Sequence, residues 1–135
     1  FERSLLPNFL VPGMVSAIKK ARGKKVYVAN LMNKFGHTEN FSVKRYVSEF
    51  EKYIGKGAFD RVIYNTKAPA KNLLRKYAEE GEMVTVDSEL RENKKYLGAS
   101  LISSKLHARK KGDPITRTLI RHDSVLLAKL LYGLL

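Results

Sequence analysis

The sequence of 135 residues contains no cysteine and no tryptophan, and only 13 Asp and Glu residues stand against 26 Lys and Arg residues. The absence of cysteine excludes disulfide scaffolds, cysteine zinc sites and thiol nucleophiles, and it fits a reducing compartment. The longest apolar runs are too short to span a bilayer, and no segment has the pattern of a secretory signal. We therefore expect a cytoplasmic protein with no membrane partner, whose chemistry uses no thiol.

The formal net charge of +13 favours polyanionic partners, which include nucleic acid, anionic lipid and phosphate-bearing small molecules. One basic cluster, from Lys19 to Lys25, lies where a helix is expected to end, and cations there complement the helix dipole. A solvated helix end is therefore the favoured interpretation of this cluster. A second cluster, from Lys105 to Arg121, lies in a polar stretch that is more open to anion binding.

Alternating strand and helix patterns predict a single α/β unit over residues 1–135, built on a parallel sheet with right-handed crossovers. The predicted strands are Val26–Met32, Arg61–Asn65, Met83–Val86 and Ala99–Ser103. Helical spacing of apolar residues is found over Val11–Ile18, Val43–Ile54, Ala70–Ala78 and Leu126–Leu134, with a weak helix at Glu89–Tyr96. Ser42 and Asp123 are expected to cap the second and the last of the four main helices.

Ligands of open α/β sheets bind outside the carboxyl ends of the strands. The loop after the first predicted strand, Asn30–Glu39, combines amide, amine, imidazole, hydroxyl and carboxylate groups around Gly36. The glycine would allow close approach of the backbone to a ligand, and Lys34 offers a point charge for phosphate. A polar surface loop is the alternative, but the position at a strand end favours a functional loop.

Two other segments have functional groups at suggestive places. Ser4 precedes a helical segment that contains Asn8, and a serine there is usually a helix cap. In Arg121-His122-Asp123 the neighbouring side chains do not face one way on a helix, so the spacing is not that of a catalytic triad. From the residues alone, Asp123 is a helix cap in that segment. The three histidines lie far apart and lack the spacing of a histidine metal site.

At these same three places the chain resembles the CofD-like family, which groups 2-phospho-L-lactate transferase with the bacterial gluconeogenesis-factor-like proteins (the YvcK branch). Phe1–Val11 is similar to the family segment that contains S-L-L-P-N, and it would follow a G-P-G-S-L stretch. Lys25–Glu39 resembles the block that reads Y-V-x-N and then M-T-Q-P-G-E-T. Arg121-His122-Asp123 matches a late R-H-D motif, and the gluconeogenesis-factor-like branch is the more similar of the two.

The resemblance implies a three-layer α/β/α Rossmann-like domain with a parallel sheet, of which this chain would be the second half. A start at Phe1 without an initiator methionine fits this interpretation. The ligand cleft would then lie between the two halves of the domain. A second copy of the chain is a further candidate partner, with which the protein would form a homodimer.

The resemblance also implies a function, which is the binding of a sugar nucleotide such as UDP-N-acetylglucosamine, with regulation of carbon metabolism or cell-wall growth. The implied residues for the ligand and its phosphates are Asn8, Asn30, Lys34, Gly36, His37, Thr38, Arg121 and His122. The alternative is a transferase that moves a phospholactyl group from a guanosine diphosphate-linked donor to a deazaflavin precursor. Mg²⁺ would then be a cofactor near Glu39 and Asp123. A basic nucleic-acid-binding module ranks third.

The chain departs from the family pattern inside the functional loop. Where the family reads T-Q-P-G-E-T, the segment Asn33–Thr38 keeps only the glycine and the final threonine. Lysine for glutamine and histidine for glutamate make the loop about two charges more positive at neutral pH. The departures favour a more anionic ligand, or they indicate loss of the ancestral ligand.

Overall fold

Three apolar segments form a parallel sheet in the computed structural model, which describes residues 5–103 and 120–134. The strands are β1 (Val26–Val28), β2 (Arg61–Asn65) and β3 (Tyr96–Ala99), in the spatial order β1-β2-β3. In register, Val28 lies opposite Ile63 and Ile63 lies opposite Leu97. The prediction of an α/β fold with a parallel sheet is confirmed.

Five helices accompany the sheet in the described ranges. They are α1 (Leu6–Phe9), α2 (Met14–Lys20), α3 (Val43–Ile54), α4 (Lys71–Tyr77) and α5 (Ser124–Tyr132). The Ser42 hydroxyl accepts a hydrogen bond from the Arg45 amide at 3.2 Å, so it caps α3. A carboxylate oxygen of Asp123 accepts from the amides of Val125 and Leu126 at 3.0 Å and caps α5. Both predicted caps are confirmed.

The first predicted strand is divided between two partners. Its first half is β1, which ends at Val28, whereas the backbone of Leu31 and Asn33 pairs with a different segment. The Asn33 amide donates to Glu82 at 2.7 Å, and the Val84 amide donates to Leu31 at 3.2 Å. Residues of the segment Met83–Val86 form only isolated bridges, with Met32 and with Ser42. The prediction that this segment is a strand of the sheet is therefore wrong.

The last predicted strand begins earlier than expected. The chain joins the sheet over Tyr96–Ala99 and then leaves it, so that Ile102 makes an antiparallel bridge with His122. Because β3 begins at Tyr96, the weak helix predicted at Glu89–Tyr96 shortens to a single 3₁₀ turn, Ser88–Glu92.

The larger core lies where α3 packs against the sheet. The helix contributes the fully buried Tyr46 and Phe50, whose neighbours in the cluster are Tyr27 of β1 and Val62 of β2. The Phe50 ring meets those of Phe9, Tyr27 and Phe59 at centroid distances of 5.5, 5.0 and 6.0 Å, all edge to face. Helical spacing of apolar residues over Val43–Ile54 therefore predicted the buried face of α3 correctly.

A second, smaller core brings together segments that are far apart in sequence. Leu31, Tyr77, Ile102 and Ile120 are all buried in it, and Leu73 of α4 packs against them. Because Ile120 immediately precedes Arg121, this packing fixes the R-H-D segment beside the residues that follow β1 and β3. Most of the second basic cluster, from Lys105 to Arg117, lies outside the described residues, as does Ser4.

Candidate functional site

The three parallel strands end at one edge of the sheet, which we call the carboxyl edge. At the end of β2, the Asn65 side-chain oxygen accepts hydrogen bonds from the amides of Leu101 at 3.0 Å and Lys67 at 3.2 Å. At the end of β1, the Ala29 amide donates to Ile63 at 2.8 Å. These bonds hold the segments after β1, β2 and β3 together, so the carboxyl edge is a rigid base for the loops above it.

The R-H-D segment runs antiparallel to the residues after β3. The Ser103 amide donates to the carbonyl of Arg121 at 2.9 Å, and the Asp123 amide donates to that of Leu101 at 2.7 Å. His122 lies between these bonds and forms a hydrogen bond with the backbone of Ala29 at the end of β1. The structure therefore brings two of the predicted site segments together, although they are about 90 residues apart in the sequence.

His122 carries an imidazole in an unusual environment. Burial lowers the pKa of His122, and the hydrogen bond with the backbone of Ala29 opposes this shift only in part. The Nε2 atom is buried and has no hydrogen-bond partner within residues 5–103 and 120–134. Because the imidazole donates its other ring N–H to the Ala29 carbonyl, the Nε2 atom of the neutral ring can accept a hydrogen bond from a bound polar group at the carboxyl edge.

The lowered pKa of His122 predicts a pH-dependent stability. Protonation favours the unfolded state, because the folded-state pKa lies below the ordinary value of 6.5. The free energy of unfolding should therefore fall as the pH drops from 6.5 toward the folded-state pKa, and stay constant below it. Urea unfolding at pH 7.5 and pH 5 should show a larger loss for wild type than for His122→Gln. A His37→Gln control, at an exposed position, should behave like wild type; equal losses in all three proteins would contradict the assignment.

The loop after β1 closes on itself through backbone and hydroxyl groups. The Lys34 amide donates to the Thr38 hydroxyl, and the Thr38 amide donates back to the Lys34 carbonyl, both at 2.9 Å. Gly36 lies in the tip of this turn with a φ of 73°, a left-handed conformation that favours glycine. The side chains of Lys34 and His37 are exposed, whereas Thr38 is buried. The loop therefore presents its basic residues outward from a hydrogen-bonded base.

Asn33 is the buried anchor of this loop. Its side-chain oxygen accepts from the hydroxyl of Tyr46 at 2.8 Å, and its amide nitrogen donates to the carbonyl of Phe41 at 2.9 Å. The same nitrogen lies 3.5 Å from a carboxylate oxygen of Glu82, which also accepts from the Asn40 amide at 2.6 Å. Only 1% of Asn33 is exposed, and its bond with the Tyr46 hydroxyl is buried and shielded from water.

Tyr46 connects the anchor to the rest of the loop. Burial raises the pKa of Tyr46, and hydrogen bonds with the side chains of Thr38 and Asn30 oppose the shift. Three polar residues of the loop, Asn30, Asn33 and Thr38, therefore meet at one hydroxyl of α3. This arrangement places Asn30 and Thr38 on the inner side of the loop, next to the carboxyl edge.

Asn8, another predicted residue, lies apart from this arrangement. Asn8 is exposed on α1, whose Phe9 packs against Phe50 and Tyr53 in the carboxyl-terminal half of α3. The loop leads instead into the amino-terminal end of that helix. Arg121 is half-buried within the R-H-D segment.

The two residues predicted near a metal lie in different segments, Glu39 in the loop after β1 and Asp123 at the start of α5. Glu39 is exposed, and one carboxylate oxygen of Asp123 accepts the two amides that begin α5. Within the described ranges, no group of three or more His, Asp or Glu side chains could hold a metal ion. Because Mg²⁺ is commonly held by one or two carboxylates together with water and ligand phosphates, the magnesium site stays a prediction, and no chemical step is assigned to it.

Sequence reasoning missed three polar residues at the carboxyl edge: Asn65, Tyr46 and Glu82. Asn65 is the last residue of β2, so the rule that pointed to the loop after β1 could also have pointed to it. Tyr46 was assigned to the core on its helical spacing, and the role of its hydroxyl has no local sequence signal. Glu82 is 49 residues from Asn33, and only the fold brings them together.

Comparison with known proteins decides the family of this chain. Residues 2–107 match the family model described as 2-phospho-L-lactate transferase CofD. The chain belongs to the CofD family. The resemblance to the family is thereby confirmed, as is the Rossmann-like parallel sheet that it implied.

Curated relatives within the CofD family are gluconeogenesis factors. The gluconeogenesis factor of Bacillus subtilis is 32% identical over 132 residues, which are 98% of this chain and 39% of the relative. A protein of Thermotoga maritima, named as a candidate gluconeogenesis factor, is 37% identical over 127 residues, or 93% of this chain and 38% of the relative. The chain thus spans less than two fifths of the length of these relatives.

Solved structures support the same fold. A Bacillus halodurans protein described as a member of the UPF0052 family superposes with a TM-score of 0.75 at 23% identity. The match covers 94% of this chain and 38% of that chain. At this identity the likeness shows the fold alone.

No helix among the described residues is long and apolar enough to cross a membrane.

Proposed function

We propose that this CofD-family chain contributes the carboxyl edge of a nucleotide site that binds a sugar nucleotide such as UDP-N-acetylglucosamine. The protein would thereby regulate carbon metabolism or cell-wall growth, and the gluconeogenesis-factor names of its relatives support the first of these roles. The observation that carries the proposal is the convergence of the loop after β1 with the R-H-D segment, where His122 meets the backbone of Ala29.

The chemistry of the converging residues suits a diphosphate with a sugar attached. Lys34 and Arg121 supply fixed positive charge, which lowers the electrostatic cost of holding two phosphates. Gly36 and His37 form the exposed tip of the loop. Asn30, Thr38 and the uncommitted Nε2 of His122 supply neutral hydrogen-bonding groups that suit sugar hydroxyls or a base. In this proposal Asn8, which lies apart, would contact ligand only from a more distant part of the same cleft.

A second function is favoured by the description of the family model itself, which is a 2-phospho-L-lactate transferase. Such a reaction depends on positioning and charge neutralisation of a phosphoryl group, and few protein nucleophiles are needed. The curated relatives are named gluconeogenesis factors, so this function ranks below sugar-nucleotide binding.

A thermal-shift screen of the full-length protein distinguishes these functions. UDP-sugars at a hundred times Kd should stabilise the protein by about 2.7 kcal/mol, whereas GDP and a deazaflavin precursor should not. A shift with GDP and the deazaflavin alone would favour the transferase. No shift with any of these compounds, together with salt-sensitive retention on DNA, would overturn both and favour a nucleic-acid-binding protein.

Lys34 is the residue of the loop whose loss should weaken diphosphate binding most selectively. Lys34→Ala removes a charge from the proposed phosphate position, and we expect about tenfold weaker binding of a UDP-sugar. Uridine, which has no phosphate, should bind as before. Isothermal titration of both ligands measures the difference.

Lys56→Ala is the matched control, because it removes the same charge beyond the far end of α3. Lys56 follows that helix, whereas the loop precedes it, and α3 with its 12 residues is about 18 Å long. Equal weakening of UDP-sugar binding by both variants would indicate a general charge effect and would contradict a specific role for Lys34.

A further inference from the structure

One buried amide joins three separate segments of the chain. Asn33 belongs to the loop after β1, Tyr46 to α3, and Glu82 to the segment after α4. The amide of Asn33 accepts from Tyr46 on one side and donates to Phe41 on the other, with Glu82 at 3.5 Å. Tyr46 is fully buried, and Asn33 is 1% exposed. A buried, nearly saturated side chain of this kind fixes the relative positions of the groups that it joins.

The bond network continues from Asn33 into the exposed turn. Lys34 directly follows Asn33, and its amide donates to the Thr38 hydroxyl at 2.9 Å. Thr38 is buried and also reaches the Tyr46 hydroxyl. Both ends of the turn Lys34–Thr38 are therefore attached to Tyr46, one through Asn33 and one through Thr38. The side chain of Lys34 is exposed, but its position depends on the buried hydrogen bonds that Asn33 and Thr38 make with Tyr46.

The family block that the chain resembles has threonine where Asn33 stands. A threonine hydroxyl is a single short group, with one donor and two acceptor positions. An asparagine amide carries an acceptor oxygen and a donor nitrogen on opposite sides, so it can span from Tyr46 to Phe41. The exchange therefore alters the support of the loop, whereas the exchanges at Lys34 and His37 alter its exposed surface.

We propose that Asn33 and Tyr46 are positioning residues, which hold the turn Lys34–Thr38 in the shape that receives the ligand diphosphate. The inference deepens the proposed function and rests on it, because it assigns the affinity for phosphate to groups that never touch the ligand. A turn that is already ordered loses less conformational entropy when the ligand binds, so affinity depends on this support.

Tyr46→Phe in the full-length protein tests the proposal. The variant keeps the ring and its packing with Phe41, whose centroid lies 5.1 Å away, but removes the hydroxyl. We expect the amides of Lys34 and Thr38 to exchange about tenfold faster with solvent deuterium, and a UDP-sugar to bind about tenfold more weakly. Binding of uridine should be unchanged. A purely structural role would alter the binding of both ligands or of neither.

Tyr53→Phe is the matched control, since it removes a hydroxyl from the same helix at a position that is 41% exposed and stacked on Phe9. It should leave amide exchange in the turn and both affinities as in wild type. Faster exchange in Tyr46→Phe with unchanged UDP-sugar affinity would overturn the positioning role. Unchanged exchange at Lys34 and Thr38 would also overturn it. If wild type binds no sugar nucleotide, the proposed function fails and the role in ligand affinity fails with it, while the exchange data still decide whether Tyr46 orders the turn.

Discussion

Replacing Gly81 with alanine is expected to destabilise the protein by about 3 kcal/mol or more. An added Cβ atom would lie 1.9 Å from the backbone oxygen of Asn33 and 2.9 Å from its carbonyl carbon. The obstacle is backbone, so no flexible side chain can move aside. Hydrogen bonds from Asn33 to Glu82 at 2.7 Å and from Phe35 to Glu80 at 3.2 Å hold the two segments at this spacing on either side of Gly81.

The midpoint of urea unfolding measures this effect, with Gly23→Ala as the control. Among the described residues other than its two chain neighbours, no residue has an atom within 4 Å of the position that a Cβ on Gly23 would take, and the backbone of Gly23 is not in the left-handed region. The control should differ from wild type by about 0.5 kcal/mol or less. If both variants unfold at the same urea concentration, the contact between Gly81 and Asn33 does not set the distance between the two segments.

Phe50→Ala is the second substitution with a large expected effect, a loss of about 3–5 kcal/mol of stability. Phe50 is 2% exposed, and its ring meets three other aromatic rings edge to face. Truncation would leave a cavity between α3 and the sheet that rigid rings such as Tyr27 and Phe59 cannot fill. The lost favourable ring contacts add to the cost of the cavity.

Phe35→Ala provides the comparison for the same chemical change at the surface. Phe35 is 40% exposed in the loop after β1, so its truncation should cost about 0.5 kcal/mol. Circular dichroism during thermal unfolding compares the two variants with wild type. A loss for Phe50→Ala no larger than that for Phe35→Ala would show that the aromatic cluster does not support the core.

The sequence predicted those parts of the fold that depend on local patterns. Ser42 and Asp123 are caps because a side-chain oxygen precedes each helix, and the buried face of α3 follows from the spacing of Tyr46 and Phe50. The strand Arg61–Asn65 was predicted with its observed bounds, since an apolar core between polar ends marks a buried strand.

What the sequence did not predict depends on contacts between distant residues. The run from Val26 to Met32 is uniformly apolar, and nothing in it shows that its second half pairs with residues near Met83. The candidate site, too, was only partly predictable from local patterns. The loop and the R-H-D motif were found from the sequence, whereas the bond between Tyr46 and Asn33 became visible only in the folded chain.

The division of the loop into an inner and an outer side has a consequence for how such proteins diverge. Lys34 and His37 project outward, while the backbone bonds of the turn and its anchor at Asn33 lie beneath them. An exchange at Lys34 or His37 can therefore change the charge of the loop while the side-chain bonds of Asn33 to Tyr46 and Phe41 stay in place. Charge and support are thus carried by different residues of one short turn.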